Sequence, residues 1–219
     1  MGSWESPALA LPVGSNIGLD SRITPGHIRQ MARKPKILIV TDDAGESFEI
    51  LYAKYRFLEA GFQPVIAASK KKRLNGVIHD FDPGWNTYIE KPGYFIEADT
   101  SINRLKSKEF EAMLLIGGRA PEFLRHHQGL IRLVKDFDRQ GKWLFAICHG
   151  IQVLLAAGLG RGRTVTCYEN VRFEVAQCGG KWRRQQSVVD GNWITAQTWE
   201  SHAEFYRDIF SNLGSGPTQ

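Results

Sequence analysis

The sequence predicts an α/β protein: a mainly parallel sheet sandwiched by helices, with an added β-hairpin. Three observations carry this. The runs Ile37-Leu38-Ile39-Val40-Thr41, Ala112-Met113-Leu114-Leu115-Ile116 and Trp143-Leu144-Phe145-Ala146-Ile147 are short and almost wholly apolar, as strands buried on both faces are. Stretches with apolar residues at helical spacing alternate with them. Each strand candidate also runs into a short polar or glycine-bearing turn, which suits the βαβ repeat and its right-handed crossover.

Taken in order, Lys36 opens the domain, and the first strand leads through Asp42, Asp43, Ala44 and Gly45 into a helix from about Ser47 to Ala60. Phe48, Leu51, Tyr52, Tyr55 and Leu58 recur at helical spacing there, and Gly61 is a natural terminator. Val65 to Ala68 is a second strand. Residues 70–100 are turn-rich, with a small hairpin around Val77-Ile78-His79, and an insertion of this length in an α/β domain points to a pocket mouth or an oligomer contact. After the strand at 112–116, a single helix is expected from Pro121 to Gln140, with Pro121 in its first turn. Beyond the strand at 143–147 comes a helical pattern closed by Gly158 and Gly160. A β-type run follows at Thr164–Tyr168 and a short helix at 170–177. Ser187-Val188-Val189 and Trp193-Ile194-Thr195-Ala196 flank Asp190-Gly191-Asn192, which is hairpin chemistry. A last helix spans about Ser201 to Leu213. The domain is therefore set at 36–213. Residues 1–35 read as an N-terminal extension and 214–219 as a disordered tail.

The 219 residues carry a net charge of +5, and their basic clusters, such as Lys70 to Arg73, lack interleaved aromatics on a nucleic-acid module. No apolar run reaches the roughly 18 residues of a membrane span. No nucleic-acid or membrane partner is expected. Cys148, Cys167 and Cys178 are odd in number and lack metal-ligand spacing; no metal and no cofactor is expected, and a reducing, cytoplasmic setting fits best.

The stretch Trp143 to Ile151 organises the chain. A strand ends at Cys148, Gly150 follows, and a helical pattern begins at once. This is the layout of a nucleophile elbow. Unpaired N–H groups at the helix end favour thiolate over thiol, and His149 offers a general base. The other reading, a small core hydrophobe at a strand end, stands beside it. The Gly117-Gly118 turn either exposes N–H groups to an oxyanion or is a plain tight turn. In open parallel sheets the turns at the strand carboxyl ends converge, which brings together Glu46, Gly117-Gly118 with Glu122, and Cys148-His149.

Gly117-Gly118-Arg119-Ala120-Pro121-Glu122 and Ala146-Ile147-Cys148-His149-Gly150, with Glu46 at its spacing, resemble the ThiJ/PfpI superfamily, whose fold is flavodoxin-like, like that of class I glutamine amidotransferases. Thr87 to Gly93 and Trp199-Glu200-Ser201-His202 are similar to the branch holding PfpI-type proteins and glyoxalase III enzymes. Ile151 stands where relatives commonly have Gln or Pro, and Glu200-Ser201-His202 where they often have Pro-Gly-His. The resemblance implies Cys148 as nucleophile and Glu46 as the acid hydrogen-bonded to it. It implies His149 as a member of the catalytic set and the N–H groups of Gly118 and His149 as the oxyanion site. Glu122 would orient the histidine across a subunit contact. Gly117, Trp199 and His202 are expected at the substrate. The implied activity is a cofactor-independent glyoxalase III or deglycase acting on a small aldehyde through a Cys148 hemithioacetal, within a homo-oligomer, a dimer or higher. A cysteine peptidase or amidohydrolase, and a non-enzymatic redox-responsive, chaperone-like protein, are the rivals.

Overall fold

In a computed structural model that describes residues 34–214, the chain forms a seven-stranded sheet with helices on both faces. Strand β1 (Lys36–Val40) is central. It pairs in parallel with β2 (Gln63–Ala68) on one side and β6 (Ala112–Leu115) on the other. The sheet continues through β7 (Trp143–Ile147) to β11 (Trp193–Ala196), both parallel, and ends in β10 (Ser187–Asp190), antiparallel to β11; the opposite edge is the short β5 (Thr100–Ser101). The apolar runs thus lie side by side in the middle of the sheet, where both faces are covered, and their side chains are buried.

Helix α1 (Ser47–Glu59) crosses from β1 to β2. Its sheet-facing stripe is Ile50, Ala53 and Phe57, all fully buried. The larger apolar series read from the sequence points elsewhere: Phe48, Tyr55 and Leu58 are 48%, 61% and 44% exposed. α1 carries two apolar stripes, and the narrower one fits the sheet.

The insertion is one long antiparallel hairpin, β3 (Arg73–Asp80) with β4 (Ile89–Glu97), separate from the main sheet. Asn75-Gly76 is a register shift inside it, not its turn. A side chain at Gly76 would come within 2.4 Å of Ser47 Oγ, so the hairpin lies close against the start of α1.

The helix expected over 121–140 is broken into α2 (Ala120–Leu124) and α3 (Gln128–Arg139). His127 Nδ1 accepts the Leu130 N–H at 3.1 Å and starts the second helix as its cap. A histidine in capping geometry is an unusual stop signal, which is why the break escapes a pattern reading. The elbow helix is a 3₁₀ turn, Cys148–Gly150, followed by α4 (Ile151–Ala156). Of the run at 164–168 only β8 (Thr164–Val165) pairs, with β9 (Lys181–Trp182); α5 (Arg172–Gln177) lies between them. Helix α6 (His202–Leu213) packs on β10 and β11. The flanking segments 1–35 and 214–219 fall almost wholly outside the described residues. Among those described, no helix is long and apolar enough to cross a membrane.

Candidate active site

Cys148 sits at the end of β7 with φ +57, a left-handed conformation rare for a side-chain-bearing residue. The chain must turn there because β6 leaves no room on the far side: a Cβ at Gly150 would lie 2.2 Å from the Leu115 carbonyl oxygen. The elbow is therefore built from one strained cysteine and one obligatory glycine. Cys148 is 5% exposed.

Three groups surround the sulfur. The N–H groups of His149 and Gly118 lie near enough to favour charge on it. Gly118 reaches this position with φ +74, and a side chain on it would strike the Ala44 carbonyl at 2.3 Å. His149 Nδ1 lies 3.2 Å from Sγ. The third group is the carboxyl of Glu49, which lies beside the thiol. Its Oε2 also accepts the Gly117 N–H at 2.7 Å. A side chain at Gly117 would overlap both Glu49 Oε2, at 2.8 Å, and Sγ, at 3.1 Å, so this glycine lets carboxyl and sulfur meet.

The structure thus reassigns the acid. Glu46 caps α1: its Oε2 accepts the Glu49 N–H at 2.7 Å, and its own N–H donates to the Gly117 carbonyl at 3.4 Å. Glu46 thus serves the helix start, and the carboxyl beside the sulfur is that of Glu49. The residue three positions on, in the first turn, faces inward instead. The signal was present as a Glu-x-x-Glu spacing at the helix start, where the first residue is the natural cap.

Burial governs the protonation states. It holds the Glu49 carboxyl well above the usual carboxylate range, and the charge of Glu46 pushes the same way. Glu46 itself is pushed up to about 7 by burial, against the N–H groups of Glu49, His79 and Phe48. The Cys148 thiol is raised by burial and by any charge on Glu49, and the N–H groups of His149 and Gly118 pull it back only in part. Burial and the neighbouring carboxyl therefore work against the thiolate that the two N–H groups favour. His149 is pushed down to about 4, by burial and by nearby His79. Burial thus favours the thiol of Cys148 and the protonated form of the Glu49 carboxyl, and it keeps the His149 imidazole neutral and able to accept a proton.

The other expected residues are more dispersed. Glu122 is exposed on α2. Trp199 stands at the mouth, its Nε1 donating to the His79 carbonyl at 3.0 Å. His202 is buried between α1 and α6, stacked on Tyr52 at 4.4 Å, and both its ring nitrogens lack hydrogen-bond partners. Gly117 is buried and holds the carboxyl network in place.

Five residues the pattern reading did not single out as site residues complete the surroundings, three of them from the hairpin. His79 stacks on Tyr88 at 3.8 Å and lies 3.0 Å from Glu90 Oε2. Glu90 accepts two bonds from Arg119, at 2.6 and 2.7 Å. Arg119 is next to Gly118, so the hairpin is clasped to the turn that faces the sulfur. Tyr168 lies 5.2 Å from the His149 ring. Among the described residues no group of three or more His, Cys, Asp or Glu side chains is placed to hold a metal.

The model of the DJ-1/PfpI family matches residues 35–212. Protein DJ-1 homolog D of Arabidopsis thaliana is 34% identical over 82% of this chain and 48% of its own length. A deglycase of Thermococcus kodakarensis is 32% identical over 74% of this chain and 89% of its own. Protein/nucleic acid deglycase 2 of Escherichia coli is 31% identical over 82% of this chain and 98% of its own length. Among solved structures, a two-domain protein of Anabaena variabilis with DJ-1/ThiJ/PfpI-like and ferritin-like domains superposes with a TM-score of 0.74 at 29% identity, over 83% of this chain and 49% of that one. A ThiJ/PfpI domain protein of Brachyspira murdochii reaches a TM-score of 0.72 at 21% identity, a likeness of fold. The chain thus spans about half the length of the Arabidopsis relative and of the Anabaena structure.

Proposed function

The chain belongs to the DJ-1/PfpI family, and from that premise we propose that it is a cysteine-dependent enzyme of deglycase or glyoxalase III type, acting on small 2-oxoaldehydes without a cofactor. The observation that carries this reading is the placement beside one sulfur of the His149 imidazole, at 3.2 Å, the buried Glu49 carboxyl and the N–H groups of Gly118 and His149. Relatives named deglycases support it.

The Cys148 sulfur attacks the aldehyde carbon while its proton passes to His149 and on to the carbonyl oxygen. This gives a hemithioacetal whose oxygen comes within reach of the Gly118 and His149 N–H groups. The imidazole then takes the proton from that carbon and returns it to the neighbouring carbon. The first carbon is thereby oxidised to a thioester and the second reduced from ketone to alcohol, so no external oxidant is needed. Water cleaves the carbon–sulfur bond and releases a 2-hydroxy acid, lactate in the case of methylglyoxal. Glu49, holding its proton, donates a hydrogen bond to the sulfur whenever it carries charge. A sulfur 5% exposed suits a small carbonyl compound better than an extended peptide, which weighs against the peptidase reading.

The deciding experiment is lactate release from methylglyoxal, without glutathione, by the wild type and by Cys148→Ala. Turnover in the wild type and a loss of about 10³-fold or more in the variant are expected. A fully reduced wild type that releases no lactate overturns the reading.

A further inference from the structure

Beside His149, whose Nδ1 lies 3.2 Å from the Cys148 sulfur, stands a series of aromatic rings. Tyr88 and Tyr168 flank His149, with centroids 5.7 and 5.2 Å from its ring and 5.6 Å from each other. Phe81 follows Tyr168 at 6.0 Å, Trp199 follows Phe81 at 6.3 Å, and Phe48 follows Trp199 at 5.7 Å. The series runs without a gap from the sulfur's immediate surroundings to side chains facing solvent: Phe81 is 37% exposed and Phe48 48%.

These rings are held in place through their polar ends. The Tyr168 hydroxyl accepts from Asn170 Nδ2 at 2.9 Å and pairs with Thr87 Oγ1 at 3.1 Å. Trp199 Nε1 is engaged by the His79 carbonyl, and Tyr88 is stacked on His79. What faces outward is therefore ring surface, with the hydrogen-bonding capacity of Tyr168 and Trp199 already spent. Cores bury such surface; here Tyr168, next to His149, is 8% exposed, while Phe81 and Phe48 at the outer end of the series face solvent. The Gly117 turn and Glu49 pack tightly beside the sulfur and leave no space there. A carbonyl compound whose oxygen turns to the N–H groups must direct its remaining substituent toward the rings.

We propose that this aromatic run is a subsite for a flat, apolar substituent, so that the preferred substrates are aryl 2-oxoaldehydes; this rests on the 2-oxoaldehyde reading of Cys148. A phenyl group attached at the ketone carbon lies one ring's width from the sulfur, against Tyr88 and Tyr168. A second fused ring extends to Phe81. The chemistry is that given above, phenylglyoxal and water yielding mandelate.

The test compares methylglyoxal, phenylglyoxal and 2-naphthylglyoxal with the full-length wild type and with Phe81→Ala. The expected kcat/KM rises about tenfold from methyl to phenyl and again severalfold to naphthyl, and Phe81→Ala removes the second rise. A series that is flat or falls, with methylglyoxal still turned over, overturns the subsite and leaves the proposed chemistry standing. If none of the three is turned over, the proposed chemistry falls. The subsite is then decided by binding to Cys148→Ala, followed by tryptophan fluorescence: mandelate held about tenfold more tightly than lactate supports it, and equal affinities overturn it.

Discussion

Two glutamates three positions apart divide the work at the start of α1. Glu49 touches the thiol, and Glu46 caps the helix that presents it. Glu49→Ala is expected to lower kcat/KM by about 10²-fold, the size of a lost proton-handling group, whereas Glu46→Gln keeps a capping oxygen and stays within about threefold. Stability separates the pair in another way. Glu46 is held up at about 7 in the folded chain, against about 4.3 when unfolded. The folded state therefore binds more protons between these values, and wild-type stability falls as pH rises through that window. The Gln variant lacks this loss. Its stability relative to wild type should rise between about pH 4.5 and 7 by up to about 3 kcal/mol, read from urea unfolding at each pH. No change across that range would show that Glu46 titrates normally.

At the scale of elements, the hairpin β3–β4 forms one side of the site and is fastened by the Arg119–Glu90 pair. Arg119 holds the Glu90 carboxyl down at about 2. Both side chains are partly exposed, so Arg119→Ala should move stability by no more than about 1 kcal/mol. It should nevertheless cost about tenfold in kcat/KM, because Arg119 adjoins the Gly118 N–H and its loss frees the hairpin that carries Tyr88. A fall in melting temperature with unchanged kinetics would assign the clasp to structure alone. The seam between α1 and α6 has its own signature. Burial pushes His202 down to about 4, so it contributes stability above about pH 6.5 that is lost as pH falls through 4. His202→Phe preserves the stack on Tyr52 and removes both unpartnered nitrogens. Its advantage over wild type should grow on acidification from pH 6.5 to 4, as denaturation curves would reveal.

For the molecule as a whole, the parallel sheet brings three turns from distant parts of the chain to one end and buries them. This burial shapes the pH dependence of activity. An ordinary histidine base would fail below about pH 6.5; His149, pushed down to about 4, should keep kcat/KM level from pH 7 down to about 5.5. An acid limb near 6.5 in the pH–rate profile would contradict a buried, neutral imidazole.

The strands, their mainly parallel arrangement and the turn at Cys148 could be read from local pattern, since fully buried strands must be apolar and a sharp turn between strand and helix needs a small residue after it. The hairpin at Ser187–Ala196 was legible for the same reason, its Asp-Gly turn being a local requirement. Which glutamate reaches the sulfur was not, because both lie in one helical turn and only the fold determines which of them faces inward. The protonation states were equally beyond reach: the sequence places polar groups near the cysteine but does not say how much water remains. Nor could spacing foresee that Tyr88, Tyr168, Phe81 and Trp199 form one aromatic run, as they are drawn from loops and element ends far apart in the chain. Local pattern specifies elements through backbone and burial demands. The meeting of side chains across elements, and the desolvation that follows, arises only when those elements pack.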